Sequence, residues 1–302
     1  MTTLPDPSGT IALPDGRALA YDEIGAADAT AVVYLHGCPD SRLTRPPDAE
    51  VAGVRLIAVD RPGYGRSDAD PRGDERTQAD DIVALADALG IDRFAVLGWS
   101  SGGPGALAVG ASHPARVTAV GVAAGQVPME ADPDVADALD PVIAMRAETM
   151  QAMTPDEFAA MVAPLLVPLD ASLELMMEAI TEGQDAAYLL DLASVPGLHQ
   201  QLALGAIAGV ERGLAGAERD MRAMVSPWPF ALADVTVPVV LWYGTADHRF
   251  KPKAGRWLAD RLPNARLEVF KATSHLLPLI HWQQLVSDLL ALTQGEVHAS
   301  QP

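Results

Sequence analysis

Residues 94–105 read FAVLGWSSGGPG. An apolar run of strand type stops at two serines set among glycines, and the Ala-rich stretch that follows has helical character. Gly98, Ser100 and Gly102 fit G-x-S-x-G. In a strand–turn–helix with this spacing the middle serine sits at the tip of a very sharp bend. The residues two before and two after it nearly collide, so both must be small. The pattern predicts a strained, exposed hydroxyl at Ser100. It also predicts that the amide of Ser101, at the N-terminus of the following helix, is free to donate to an oxyanion.

The neighbouring segments carry the same strand–helix rhythm. TAVVYLHG (30–37), VRLIAVD (54–60) and RVTAVGVAAG (116–125) are continuous apolar runs rather than alternating ones, as strands buried on both faces are. DERTQADDIVALADALG (74–90) has apolar residues at Ile82, Leu85 and Leu89 and a glycine stop, which predicts a helix. TIALPDGRALAYDEIG (10–25) reads as a hairpin about Pro14-Asp15-Gly16. From about Val127 to Val225 no such strand occurs and helical patterns dominate, one opening on the capping box Thr154-Pro155-Asp156-Glu157. The rhythm resumes at VTVPVVLWYG, with a helix near Lys253–Leu262, a strand ARLEVF and a closing helix near Leu279–Thr293. The expected fold is α/β, a mostly parallel sheet flanked by helices. Residues 1–126 and 230–302 form the two parts of the core, and residues 127–229 form an inserted helical cap.

A serine hydroxyl becomes a nucleophile only beside a base, and the base needs an orienting carboxylate. Asp247 follows the strand VVLWYG, and His275 follows LEVF, so both fall at strand ends, in the chain order Ser, Asp, His. His275 is the expected general base, with Asp247 holding its tautomer. His248, His281, His113 and His199 fit less well, being beside Asp247, in the last helix, at a helix end and in the insertion. The turn His36-Gly37-Cys38-Pro39 places a second oxyanion donor at the amide of Cys38, with His36 bracing the loop.

Together these motifs resemble the α/β-hydrolase superfamily, in its capped, serine-nucleophile, esterase- and aminopeptidase-like branch. The resemblance covers roughly 10–125 and 230–293. It rests on the H-G-x-P loop, DRPGYGRSD (60–68), GWSSG, GTAD and the SH loop. It implies an α/β-hydrolase fold and a Ser100–His275–Asp247 triad. In DRPGYGRSD, Asp60 is expected to bond neighbouring amides. HGCPDS departs from the HGGPG of proline-specific aminopeptidases, Ser274 stands where glycine often precedes the histidine, and serine at position 100 argues against carboxylate-nucleophile branches.

The 302 residues, 49% hydrophobic, suffice for a large core. A balance of 21 basic to 40 acidic residues, net charge -19, argues against nucleic-acid binding. The single cysteine, Cys38, and the lack of a secretory or membrane-spanning stretch point to a cytoplasmic protein with no membrane partner. The expected partner is a small-molecule substrate, with no cofactor and no metal; nothing specifies an oligomeric state. The expected activity is hydrolysis of an ester, thioester or lactone with an apolar part. C–C bond hydrolysis, lyase chemistry, perhydrolysis on the same residues, or a ligand receptor with an idle triad, stand as alternatives. Trp99 either walls the pocket or packs beneath the helix. Met145 and Met150, with Met153, Met161, Met176 and Met177, either line an adaptable pocket or fill the core of the insertion.

Overall fold

The computed structural model describes residues 3–70, 73–128, 149, 152–154, 157, 160–161 and 172–293. Its centre is a sheet of eight strands: β1 (Gly9–Ala12), β2 (Ala18–Ile24), β3 (Thr30–Leu35), β4 (Val54–Val59), β5 (Phe94–Trp99), β6 (Val117–Ala123), β7 (Val239–Gly244) and β8 (Ala265–Phe270). Their spatial order is β1-β2-β4-β3-β5-β6-β7-β8. β1 and β2 form the expected hairpin and β2 meets β4 antiparallel, while every pairing from β4 to β8 is parallel.

The continuous apolar strands are explained by helices on both faces. Along β3 the pleat sends Val33 and Leu35 to one core and Val32 and Tyr34 to the other. The first core is closed by α1 (Glu75–Ala88) and α2 (Gly102–Ser112), with α7 (Pro252–Ala259) contributing Ala254 and Leu258. The second is closed by α8 (Leu277–Ile280) and α9 (Trp282–Thr293). The one closing helix expected from sequence is therefore two, broken at His281. The half-buried His281 imidazole lies 4.6 Å from the Phe270 ring, and burial lowers its pKa.

Between β6 and β7 the described residues contain helices and no strand: α3 (Leu173–Thr181), α4 (Ala186–Ser194), α5 (Leu198–Val210) and α6 (Ala215–Met224). The Thr154–Glu157 capping box forms, the Glu157 carboxylate accepting from the Thr154 amide at 2.9 Å. Helices α5 and α6 lie directly on core loops because glycines remove the intervening side chains. A Cβ on Gly209 would stand 2.2 Å from the carbonyl oxygen of Asp40, and one on Gly216 would stand 2.4 Å from the Tyr64 ring. Among the described residues no helix is long and apolar enough to cross a membrane.

Candidate active site

Three strand ends converge over one rim of the sheet. Ser100 follows β5 with φ at 53°, in the left-handed region that residues bearing a Cβ rarely adopt. Its backbone is pinned on both sides: its amide donates to the Ala123 carbonyl, and its carbonyl accepts from the amides of Gly103 and Gln126, all at 3.0 Å. Both glycines of G-x-S-x-G are sterically required, Gly98 by the expected crowding against Gly102 and Gly102 by the backbone that ends β3. A Cβ on Gly98 would stand 2.4 Å from the Gly102 carbonyl oxygen, and one on Gly102 would stand 2.2 Å from that of Leu35.

His275 lies between Ser100 and Asp247. Its Nε2 is 3.1 Å from Ser100 Oγ and its Nδ1 is 2.8 Å from Asp247 Oδ2. With a carboxylate at Nδ1, that nitrogen carries the hydrogen and Nε2 is left free to accept one. Asp247 is oriented in turn, its Oδ1 accepting from the amides of Arg249 at 2.8 Å and Phe250 at 3.1 Å. All three side chains are buried, so the Ser100 side chain, expected to be exposed, instead lines a cavity. The histidine loop is tied down by Trp99, whose Nε1 donates to the His275 carbonyl at 3.1 Å, and by Asp191 of α4, which accepts from the Ser274 amide at 2.7 Å.

The sequence matches the family described as alpha/beta hydrolase fold over residues 30–281. The chain belongs to the α/β-hydrolase family. Among curated proteins it is 28% identical to a non-heme chloroperoxidase of Streptomyces lividans, over 95% of this chain and 100% of that one. It is 30% identical to a pimeloyl-[acyl-carrier protein] methyl ester esterase of Neisseria meningitidis, over 84% of this chain and 74% of that protein. Among solved structures it resembles the esterase RhEst1 of Rhodococcus sp. ECU1013, with a TM-score of 0.65 at 19% identity over 95% and 98% of the two chains. The enol-lactonase of Burkholderia xenovorans LB400 gives a TM-score of 0.64 at 20% identity, over 94% and 100%. The protein is thus a hydrolase by family.

In this α/β-hydrolase the loop after β3 runs alongside the serine. A Cβ placed on Gly37 would stand 3.2 Å from Ser100 Cβ and 3.1 Å from Asp40 Oδ2. Gly37 is thus packed against Ser100, Cys38 lines the cavity in front of it, and Ser101 is the N-cap of α2. Burial pushes the Cys38 thiol up to about 12, so the sulfur stays protonated and is no nucleophile at neutral pH. His36 braces the loop as expected. Its Nδ1 lies 2.8 Å from the Gly37 carbonyl oxygen and its Nε2 accepts from the Arg61 amide at 3.1 Å. Burial, reinforced by Arg61, holds the imidazole well below its usual range, so it is neutral.

A cavity of about 270 Å³ opens on Ser100 and His275. Trp99, Ile180, Leu202 and Leu276 supply much of its apolar wall, and Asp40, Gln184, Tyr188 and Arg249 are polar groups on it. Of the two roles the sequence left open, Trp99 walls the cavity; at 4% exposure it packs into the second core and not the first, to which α2 contributes. Met145 and Met150 lie outside the described residues. The described methionines pack among themselves and their helices rather than on the cavity: Met176 and Met177 with Ala203, and Met153, Met161, Met221 and Met224 with Tyr64. Among the described residues no group of three His, Cys, Asp or Glu side chains is arranged to hold a metal ion.

Several buried polar groups here are not signalled by the sequence motifs as site residues. Asp60 binds amides as expected, those of Arg42 at 2.7 Å and Arg66 at 2.9 Å, but it also takes the Arg42 guanidinium at 2.9 Å. Asp40 is buried against the cavity with Thr44 Oγ1 donating to its Oδ1 at 3.0 Å. Arg61 and Tyr64 both reach Asp220 of α6, at 2.8 Å from Arg61 Nη1 to Oδ1 and 2.6 Å from the phenol to Oδ2. Burial would push the Asp220 carboxyl up, but Arg61 and Arg219 outweigh it and hold the group at about 2.

Proposed function

We propose that this hydrolase cleaves an ester, thioester or lactone of a small, largely apolar substrate through an acyl-enzyme on Ser100. The observation carrying the proposal is the position of His275, within hydrogen-bond reach of Ser100 Oγ and Asp247 Oδ2 at once. Ser100 Oγ attacks the scissile carbonyl as His275 Nε2 takes its proton, while Asp247 balances the imidazolium. The amides of Cys38 and Ser101 hold the oxyanion, each donor contributing roughly 3 kcal/mol. His275 then gives its proton to the leaving alcohol or thiol. Water, deprotonated by the same nitrogen, releases the acid and regenerates Ser100.

The size of the cavity favours a short acyl or alcohol part, since a volume of about 270 Å³ lies below the usual span for drug-sized ligands. The esterase relatives support the same chemistry. The division into a core of residues 1–126 and 230–302 and a helical cap of residues 127–229, which covers the nucleophile, belongs to this reading. So does a small-molecule partner without nucleic acid.

Full-length similarity to the chloroperoxidase favours one second reading, perhydrolysis, in which hydrogen peroxide replaces water in the deacylation step. A fluorophosphonate that modifies Ser100 and no other serine, together with loss of about 10³-fold or more in p-nitrophenyl acetate hydrolysis in Ser100→Ala, is the expected outcome. Loss below tenfold removes Ser100 from the mechanism. Peracid formation from acetate and peroxide, measured on the same two proteins, separates the readings.

A further inference from the structure

Arg61 is 1% exposed, lies outside the triad, and touches both flanks of the oxyanion site. Its Nη2 donates to the Gly37 carbonyl at 2.9 Å and stands 3.2 Å from Ser101 Oγ. The first of these contacts sets a direction. A trans peptide is planar, so its carbonyl and its N–H point opposite ways. With the Gly37 oxygen held from one side by Arg61 and His36 Nδ1, the Cys38 N–H of the same peptide is aimed away from them. The second contact reaches the residue that carries the other donor.

The guanidinium itself is held from above. Asp220, on α6, accepts from both of its terminal nitrogens. Tyr64 stacks against it at 4.9 Å and donates to the same carboxylate, while Gly216 lets α6 approach the Tyr64 ring. Arg61 and Asp220 are far apart in the chain and meet only because α6 is seated on the core.

We propose that Arg61 and Asp220 are a positioning pair: by holding the Gly37–Cys38 peptide and Ser101, they keep both oxyanion donors aimed and make the rate depend on the seating of α6. The pair is poorly accounted for as a stabilising device. A buried ion pair replaced as a unit by apolar side chains is often neutral or favourable for stability. A Lys at 61 would keep the charge, but its single nitrogen lacks the planar fork that serves Asp220, Gly37 and Ser101 together.

The proposal rests on the Ser100 mechanism above, and the test separates the two. Arg61→Met combined with Asp220→Leu, and Arg61→Lys alone, are compared with the parent by thermal denaturation, by kcat and KM on p-nitrophenyl acetate, and by inhibition with a trifluoromethyl ketone, which forms an oxyanion on the serine. The rate of fluorophosphonate labelling is followed alongside. The expected result for the double variant is a cooperative unfolding transition and a kcat lower by about 30- to 100-fold, short of the loss of a whole donor. KM should stay within threefold, and ketone affinity should weaken in step with kcat. Arg61→Lys should fold and lose about tenfold in kcat. A folded double variant with kcat within threefold of the parent, a change confined to KM, or failure of both variants to fold would each overturn the proposal, the last by assigning the pair to stability alone. A parent that neither labels at Ser100 nor needs it would instead sink the underlying mechanism.

Discussion

Trp99 Nε1 donates to the main-chain oxygen of His275 at 3.1 Å, so the residue before Ser100 holds the backbone of the proposed base. Its ring lies 5.6 Å from the imidazole and forms part of the cavity wall. Trp99→Phe keeps the wall and removes the hydrogen bond. The expected outcome is a fall in kcat of about tenfold with little change in KM, as the base gains freedom to leave its attack geometry. Steady-state kinetics on p-nitrophenyl acetate decide it; an unchanged kcat with a raised KM would make Trp99 a binding residue only.

Asp247→Asn retains an oxygen for the amides of Arg249 and Phe250. It places an amide against His275 Nδ1, which favours the tautomer with the hydrogen on Nε2. A drop of about 10³- to 10⁴-fold in kcat is expected with thermal stability nearly unchanged. Comparable activity at all pH values would show that His275 is oriented by something else.

Asp40 gives a pH dependence of stability. Burial pushes its carboxyl from the ordinary 3.8 up to about 7, with Arg61 and Arg249 opposing and Asp220 adding to the shift. Between those values the folded protein binds a proton that the unfolded chain releases, so stability falls as pH rises through this window and is lowest above it. Asp40→Asn should therefore be more stable than the parent at pH 8, by as much as about 4 kcal/mol. The difference should shrink towards zero near pH 4. Urea titrations at the two pH values measure it, and a pH-independent difference would contradict the assignment.

Leu202, buried on α5, lines the cavity. Leu202→Ala should cost about 2–3 kcal/mol of stability. It should also raise kcat/KM for p-nitrophenyl hexanoate relative to acetate by about tenfold, because a methylene accommodated in an apolar pocket is worth that order. An unaltered chain-length profile would place the acyl group elsewhere.

Gly102→Ala puts a methyl group 2.2 Å from the Leu35 carbonyl oxygen and 2.7 Å from that of His36, both backbone atoms. The expected result is a markedly lowered melting temperature and near-complete loss of activity. A variant that melts and turns over like the parent would show that the elbow can relax.

The sheet and the convergence of Ser100, His275 and Asp247 were legible because each leaves a local signature. TAVVYL reads as a strand buried on both faces because it is continuously apolar and β-branched, and Gly98 has a steric cause within five residues, its clash with Gly102; the clash of Gly102 with Leu35 and His36 is long-range and was not legible. Asp247 and His275 could be placed because each follows a recognisable strand. Asp220 could not: Ala215–Met224 has the composition of an ordinary surface helix, and its carboxylate is buried only through a partner 159 residues away. Arg61 stood inside a motif that reads as a turn, and Asp40 inside one that reads as backbone donors. Their burial is set by α5 and α6 descending on them, which no local pattern encodes. The break at His281 escaped for the opposite reason, since LLPLIHWQQLV is continuously compatible with one helix.

The contacts of Gly209 with Asp40 and of Gly216 with Tyr64 put the overlying helices in direct touch with the loops beside Ser100. Heat that lifts those helices away is expected to disturb the loops beside Ser100 in the same step. Residual activity after warming should therefore trace the melting curve itself, and a population that is inert yet natively compact should not accumulate.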